Sequence, residues 1–384
     1  MKLIYIANIR LPTEKAHGIQ IMKMCEAFAR EEVKVELIVP RRFNFIKEDP
    51  FEYYGVERNF KIKKLPCLDL IPLEKILGRL AFWIEAATFS FFVWFYLIFR
   101  KSDIIYTRDK FFLPSLFFGK KLIYEVHTFP KKYFLYSSYL KKTKGIIVIT
   151  EKLKNLFLKQ GVTQNKILVA PDGVDLQMFN VEEKKEEYRK EFNLPQNKKI
   201  IGYVGRLETM EKEKGIDTLI KAFRILSEKF NNLFLCIVGG PKERIIEYEN
   251  LARQMKIKEK VKFLDQVRHA LIPKLLKSFD ILVMPYPWTE HYAFYMSPLK
   301  LFEYMASKRP IIASDLPSIR EILNENNAIL VKPDNPGVLA QGIKKVLQDP
   351  ELFVKISNQA FKDVQNYTWR RRTEKIIKFI NLKL

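Results

Sequence analysis

The sequence predicts an α/β protein built from two doubly wound, Rossmann-like domains. Three observations carry this reading. Short apolar runs alternate with segments of helical periodicity along the chain. The length, 384 residues, exceeds one average domain. A strand–loop–helix opening occurs twice, at the N-terminus and again near residue 199. The expected division is residues 1–180, residues 181–355 and a terminal segment 356–384.

Composition narrows the partners. Hydrophobic residues make up 48% of the chain, enough for sizeable cores. The net charge is +23, from 67 basic and 44 acidic side chains. That surplus suits an anionic partner: nucleic acid, sugar nucleotide or acidic lipid. Both halves share it, so no basic tail stands apart. Cys25, Cys67 and Cys236 show no CxxC spacing, which points to a reducing compartment and away from disulfides or zinc. The four histidines form no HExxH. The opening MKLIYIANIRLP is interrupted too soon for a signal peptide.

In the first half, residues 2–8 read as a buried parallel strand. A loop containing Ala16-His17-Gly18-Ile19-Gln20 follows, then a helix with Ile21, Met24, Cys25, Phe28 and Ala29 on one side. Residues 33–40 are a second strand, and 41–60 a basic, aromatic loop region. The most apolar segment is 80–99, with Glu85 as its one charge and Lys/Arg on both flanks. Its length admits a transmembrane span. Its place between strands of one sheet, and flanks without charge asymmetry, favour a packed helix with one face toward a bilayer. Phe111-Phe112, Phe117-Phe118 and Lys131-Lys132-Tyr133-Phe134 mix bases with aromatics in the same way; a large aromatic core is the plain alternative. Further strands are expected at 103–108, 121–127, 145–150 and 166–170. His127 sits at a strand C-terminus, where open α/β sheets present side chains to ligands, while Glu125 lies deeper on the same face.

In the second half, 181–198 is charged and helix-like, and 199–205 opens a new sheet. Arg206 and Lys214 bracket a charged loop holding Glu208, Glu211 and Glu213, before a helix from Ile216. Two cations near a helix N-terminus suit a diphosphate. Strands are expected at 233–240, 261–267, 281–287 and 328–333. Gly239-Gly240 lets a ligand approach the backbone closely. Ser297 is a suitable N-cap and Pro298 suits the first helical position. Lys300 and Glu303 then share a helix face, and Leu299, Phe302 and Met305 form the apolar stripe. Residues 311–313 begin a buried strand.

The stretch 291–315, with Ser-Pro-Leu-Lys-Leu-Phe-Glu-Tyr-Met-Ala at its core, resembles the signature of the retaining GT-B glycosyltransferases of family 4, glycosyl transferases group 1. The family has a Glu-x7-Glu pattern here. Glu303 matches the second Glu, which holds the nucleotide ribose. The first, which contacts the donor sugar, falls at Tyr295, so the chain departs from the pattern there. Gly205-Arg206-Leu207 with Lys214-Gly215 resembles the family's G-R-L…K-G motif, whose cations grip the donor diphosphate; Lys212 is a neighbour that could serve. Pro171-Asp172-Gly173-Val174-Asp175 resembles its N-G-V-D turn, and the tail from Tyr367 its helix that crosses back to the first domain.

The resemblance implies two Rossmann-like domains facing each other across a cleft. It implies transfer of a sugar from a UDP- or GDP-linked donor to a glycan or lipid-linked acceptor, in cell-envelope or polysaccharide synthesis. The implied catalytic residues are His127, Arg206 and Lys214. The donor-binding residues are Gly18, Gly240, Tyr295, Ser297, Pro298, Leu299, Lys300 and Glu303. No cofactor is implied, and the lack of Asp-x-Asp fits a metal-free site. The expected location is cytoplasmic, with peripheral contact to an anionic membrane at its inner face.

Three rivals stay open. A GT-B sugar-nucleotide epimerase would share the architecture and the donor groups. A nucleic-acid-binding protein would explain the charge, but no recognised motif gathers it. A NAD-linked oxidoreductase would explain the winding, but no GxGxxG with a downstream acid occurs.

Overall fold

The computed structural model describes every residue except Lys131, Glu183, Met210, Glu211 and Leu384, and the side chains of all the rest but Phe117, Phe118 and Thr209. The sequence readings placed on Lys131, Glu211 and the rings of Phe117 and Phe118 therefore fall outside the described set. The chain divides into two compact units: Met1–Pro171 with Trp369–Leu384, and Asp172–Thr368. Residues 172–180 thus go with the second unit, as does 356–368, while the last helix belongs to the first.

The first unit holds a seven-stranded parallel sheet in the order β3-β2-β1-β4-β5-β6-β7. Its strands are β1 (Lys2–Ile6), β2 (Lys34–Pro40), β3 (Lys61–Leu65), β4 (Ile104–Thr107), β5 (Leu122–Val126), β6 (Gly145–Val148) and β7 (Ile167–Val169). Helices α1 (Ala16–Arg30), α2 (Pro50–Tyr54), α3 (Glu74–Leu77), α4 (Arg79–Ile98), α5 (Ser137–Lys142) and α6 (Glu151–Lys159) connect them. Every residue of β4, β5 and β6 is buried, as expected of strands covered on both faces. The first departure from expectation is β3, an edge strand reading KIKKL. Its lysines suit an open edge and hide the strand from an apolar pattern. The second is Gly18. It lies inside the first turn of α1, not in a loop before it.

The second unit repeats the plan with six parallel strands in the order β12-β11-β8-β13-β14-β15. They are β8 (Lys199–Val204), the two arms of a small antiparallel hairpin β9 (Glu208–Thr209) and β10 (Lys212–Glu213), then β11 (Leu233–Val238), β12 (Val261–Leu264), β13 (Ile281–Met284), β14 (Ile311–Ser314) and β15 (Ile329–Val331). The hairpin lies where the sequence reads as a plain charged loop. Helices α7 (Lys185–Glu191), α8 (Ile216–Ser227), α9 (Lys242–Gln254), α10 (Ile272–Ser278), α11 (Glu290–Phe294), α12 (Leu299–Ala306), α13 (Pro317–Arg320), α14 (Pro336–Gln348) and α15 (Pro350–Val364) cover both faces; α16 (Trp369–Asn381) closes the chain on the first unit. Alternation along the strands feeds two cores. Ile200, Cys236, Leu282 and Ala313 face one side, and Ile201, Leu235, Val283 and Ile312 the other.

Each sheet reverses its order once, between β1 and β4 and between β8 and β13. In open α/β sheets the crevice beyond the strand C-termini at such a switch point is where ligands bind.

Candidate functional site

In the second unit the loops after β8 and β13 meet at the switch point, and glycines make this possible. Gly205 has φ +135° and Gly239 φ +142°, and a Cβ on Gly239 would lie 2.1 Å from the Gly205 carbonyl oxygen. The ends of β8 and β11 therefore touch backbone to backbone. Leu207 N–H donates to the Gly240 carbonyl at 2.8 Å, which fixes the loop carrying Arg206. The demand for glycine falls on Gly239; Gly240 has ordinary room, with Asp265 Oδ1 3.6 Å from its ideal Cβ. Gly215 caps α8 in the left-handed region at φ +74°. A Cβ there would lie 1.7 Å from the Pro285 carbonyl oxygen, so the Lys214 loop packs directly on the end of β13.

Three cations gather around these turns. Lys300 is only 8% exposed. Its ammonium sits 3.7 Å from the centre of the Tyr203 ring and 5.5 Å from that of Tyr286. Its stem crosses Gly205, where any Cβ would meet Nζ at 2.6 Å. Nζ has no hydrogen-bond partner among the described residues. Burial, then the charge of Lys214, pull the Lys300 ammonium well below the usual lysine range, and Glu303 offsets this only in part. Burial and Arg206 likewise bring Lys214 down to about 8. Lys212, the alternative cation, is exposed, and Lys214 is the one that turns inward. His291 is also held down, by burial and by Lys212 and Lys214. Two lysines held down by burial and by neighbouring positive charge call for an anion.

Glu303 does not pair with Lys300. Its Oε1 lies 2.8 Å from His269 Nε2, with both side chains largely covered. The shared face expected of Lys300 and Glu303 thus divides, one side chain running under the β8 loop and the other toward the end of β12. The start of α12 also differs from expectation. Pro298 is the N-cap, with extended φ −79° and ψ 128°, and no side chain caps the helix. Ser297 is turned away to accept the Asp172 N–H at 2.8 Å. Leu299 is half-buried, while Leu301, Phe302, Tyr304 and Met305 are fully buried, so α12 is a core helix and not a one-sided stripe. Tyr295 follows α11, and its hydroxyl donates to Glu290 Oε1 at 2.8 Å. A carboxylate thus stands beside the position where the family pattern has one.

In the first unit His127 follows β5, and its Nε2 lies 2.6 Å from Glu125 Oε1. Glu125 is fully buried and is the hub of a network. It accepts from Gln20 Nε2 at 2.8 Å and from the Tyr106 hydroxyl, and it pairs with Arg372 of α16 at 3.1 Å. Burial pushes this carboxyl up, but Arg372, His127 and Arg108 override it and hold it well below the usual range. Arg108 in turn donates to the side-chain oxygen Oε1 of Gln20 at 2.6 Å. His17, beside this group, is forced down to about 3 by burial and by Arg108, and stays neutral. Gly18 is required by packing: a Cβ would meet the Tyr54 hydroxyl at 2.2 Å, and that hydroxyl is fixed to both Thr13 N–H and Thr13 C=O at 2.7 Å.

Sequence reading misses Arg108, Arg372, His269, Tyr203 and Tyr286. The last two carried a signal, as Tyr203 lies within the strand KIIGYV and Tyr286 just past the end of ILVM. Arg372 carried none. Among the described residues no group of three or more His, Cys, Asp or Glu could hold a metal ion.

Comparison with known proteins bears on the family and the fold. The model of Glycosyltransferase Family 4 matches residues 18–178, and that of Glycosyl transferases group 1 matches residues 184–363. An uncharacterized glycosyltransferase of Methanocaldococcus jannaschii is 31% identical over 54% of this chain and 51% of its own. A D-inositol 3-phosphate glycosyltransferase of Corynebacterium glutamicum is 24% identical over 57% of this chain and 52% of its own. The chain thus spans about half the length of these relatives. In fold it resembles a glycosyltransferase of Rickettsia africae, with TM-score 0.75 at 16% identity, covering 100% of this chain and 98% of that one. It also resembles Anabaena HepE solved with UDP and glucose, with TM-score 0.74 at 17% identity and 100% of both chains covered. Two family models that together run from residue 18 to residue 363, on two doubly wound sheets, lead to one assignment: the chain belongs to the GT-B glycosyltransferases of family 4, group 1.

Proposed function

We propose that the protein is a retaining glycosyltransferase that moves a sugar from a UDP- or GDP-linked donor to a glycan or lipid-linked acceptor, in the cytoplasm, for cell-envelope or polysaccharide synthesis. The observation that carries the reading is the cation cluster at the β8–β13 switch point, with Lys300 buried against the Tyr203 ring and without a hydrogen-bond partner among the described residues. Breaking the sugar–phosphate bond leaves charge on the diphosphate, and Arg206, Lys214 and Lys300 are preorganised to receive it. Positive side chains do this work, so no metal is required. Glu303, oriented by His269, accepts from the ribose hydroxyls. His127, oriented by Glu125, holds the sugar. Glu125 is buried and engaged on several sides, a poor nucleophile for a double displacement. The fold likeness to a protein solved with UDP and glucose supports the donor class.

The test incubates the full chain with UDP- and GDP-sugars, with and without a chelator, and follows the sugar by proton NMR. Release of nucleoside diphosphate, with the anomeric configuration of the donor kept in the product and no loss to the chelator, supports the reading. Isomerised donor without release would replace it with the epimerase. Inversion or chelator sensitivity would overturn the mechanism.

A further inference from the structure

The helix α4 is apolar on both faces, and the first unit uses only one. Ala81, Glu85, Ala86, Phe89, Val93 and Leu97 face inward and are fully buried. They are anchored: Asn8 Nδ2 donates to Glu85 Oε2 at 3.0 Å, Tyr96 to Glu36 Oε1 at 2.8 Å, and Phe89 packs edge-on to Phe112 at 5.6 Å. The opposite stripe, Leu80, Trp83, Phe91, Phe95 and Ile98 with Phe99 just beyond, is more than half exposed at each position. At 1.5 Å per residue this uncovered face runs about 30 Å. Contiguous exposed apolar surface of this extent marks an interaction site.

Charge identifies the partner. From residue 74 to 103 the exposed charged side chains are Glu74, Lys75 and Arg79 at one end and Arg100, Lys101 and Asp103 at the other, so positive charge prevails at both ends. The one carboxylate of α4, Glu85, is turned inward. An anionic lipid surface matches both features, taking the apolar stripe into its interface and the cations among its headgroups. We propose that the outer face of α4 docks the protein onto an anionic bilayer, with the helix lying in the plane of the interface. It does not span, because its inner stripe is committed to the sheet. The inference goes beyond the sugar-transfer reading and does not depend on it.

The test is flotation of the full chain with phosphatidylcholine vesicles, with or without phosphatidylglycerol. The variant is Trp83→Gln with Phe91→Gln and Phe95→Gln; all three positions are exposed, and circular dichroism confirms the fold. The parent is expected to float with the phosphatidylglycerol vesicles, and the variant to lose binding by about tenfold or more. Lipids brominated near the headgroup are expected to quench the fluorescence that Trp83→Phe removes more than lipids brominated at mid-bilayer. Equal flotation of parent and variant would overturn the proposal, as would strongest quenching from mid-bilayer. No flotation, with the variant converting a dimer to a monomer, would assign the face to a second copy instead.

Discussion

Replacing Lys300 by methionine keeps an unbranched stem over Gly205 and between Tyr203 and Tyr286, and removes only the ammonium. The structure predicts opposite effects on stability and on binding. In the unliganded protein the ammonium is 8% exposed and has no hydrogen-bond partner among the described residues. Effective desolvation of a buried charge costs several kcal/mol. The Tyr203 ring at 3.7 Å returns about 2 kcal/mol of that through its π face. Lys300→Met is therefore expected to stabilise the empty protein by about 1–2 kcal/mol. For a unit of this size that is about 2–4 °C in Tm per kcal/mol. With a nucleoside diphosphate bound, the same ammonium makes a charge-assisted contact worth about 1.5–3 kcal/mol. Affinity should then fall roughly 10- to 150-fold. Thermal melts and calorimetric titration with UDP and GDP read both quantities on one preparation. A variant that melts lower when empty and binds as tightly as its parent would show that Lys300 is a structural prop, and would remove the strongest reason for placing an anion here.

Other consequences are sharper in direction than in size. Lys214 at about 8 is held down by burial and Arg206, and a bound diphosphate raises it. Binding should therefore take up protons near pH 8 and weaken as pH rises through that value; titrations in buffers of different ionisation enthalpy would show no buffer dependence if Lys214 is remote from the ligand. Glu125→Gln leaves Arg372 buried without its counter-charge and should cost about 3–5 kcal/mol in urea unfolding. Because the native carboxyl is held low, its stabilisation is present above the ordinary glutamate pKa and is lost as pH falls toward the folded value; the variant should flatten that acid limb, and an unchanged limb would contradict the assignment. Gly215→Ala combines φ +74° with a Cβ 1.7 Å from a carbonyl oxygen, and should cost about 2 kcal/mol or more while displacing Lys214; a neutral result would mean that the turn is free to move.

The alternation of strand and helix is legible in the sequence because parallel strands covered on both faces are nearly continuous apolar runs, as GIIV and ILVM are. The edge strand KIKKL is not, since an open edge selects the charges that erase the pattern. At the site, residue types and order were legible and directions were not. Helical spacing puts Lys300 beside Glu303; only the missing Cβ of Gly205 and the two tyrosine rings draw the lysine inward. Ser297 has the chemistry of a cap, but the Asp172 amide competes for its hydroxyl and wins. Glu125 reads as a buried strand residue, and its partner Arg372 comes from the last helix, a pairing that no local pattern encodes. The apolar run 80–99 shows its length in the sequence, while the split into a buried and an uncovered stripe appears only in the fold.

Arg206, Lys214, Lys300 and Glu303 together make the proposed nucleoside diphosphate site. The most direct measurement is the thermal midpoint of the full chain against UDP, GDP, ADP and NAD, repeated with Glu303→Ala. Ligands that bind the native state raise the midpoint by mass action. A rise with UDP or GDP that Glu303→Ala abolishes is expected. No response to any diphosphate, or a response to NAD alone, would contradict it.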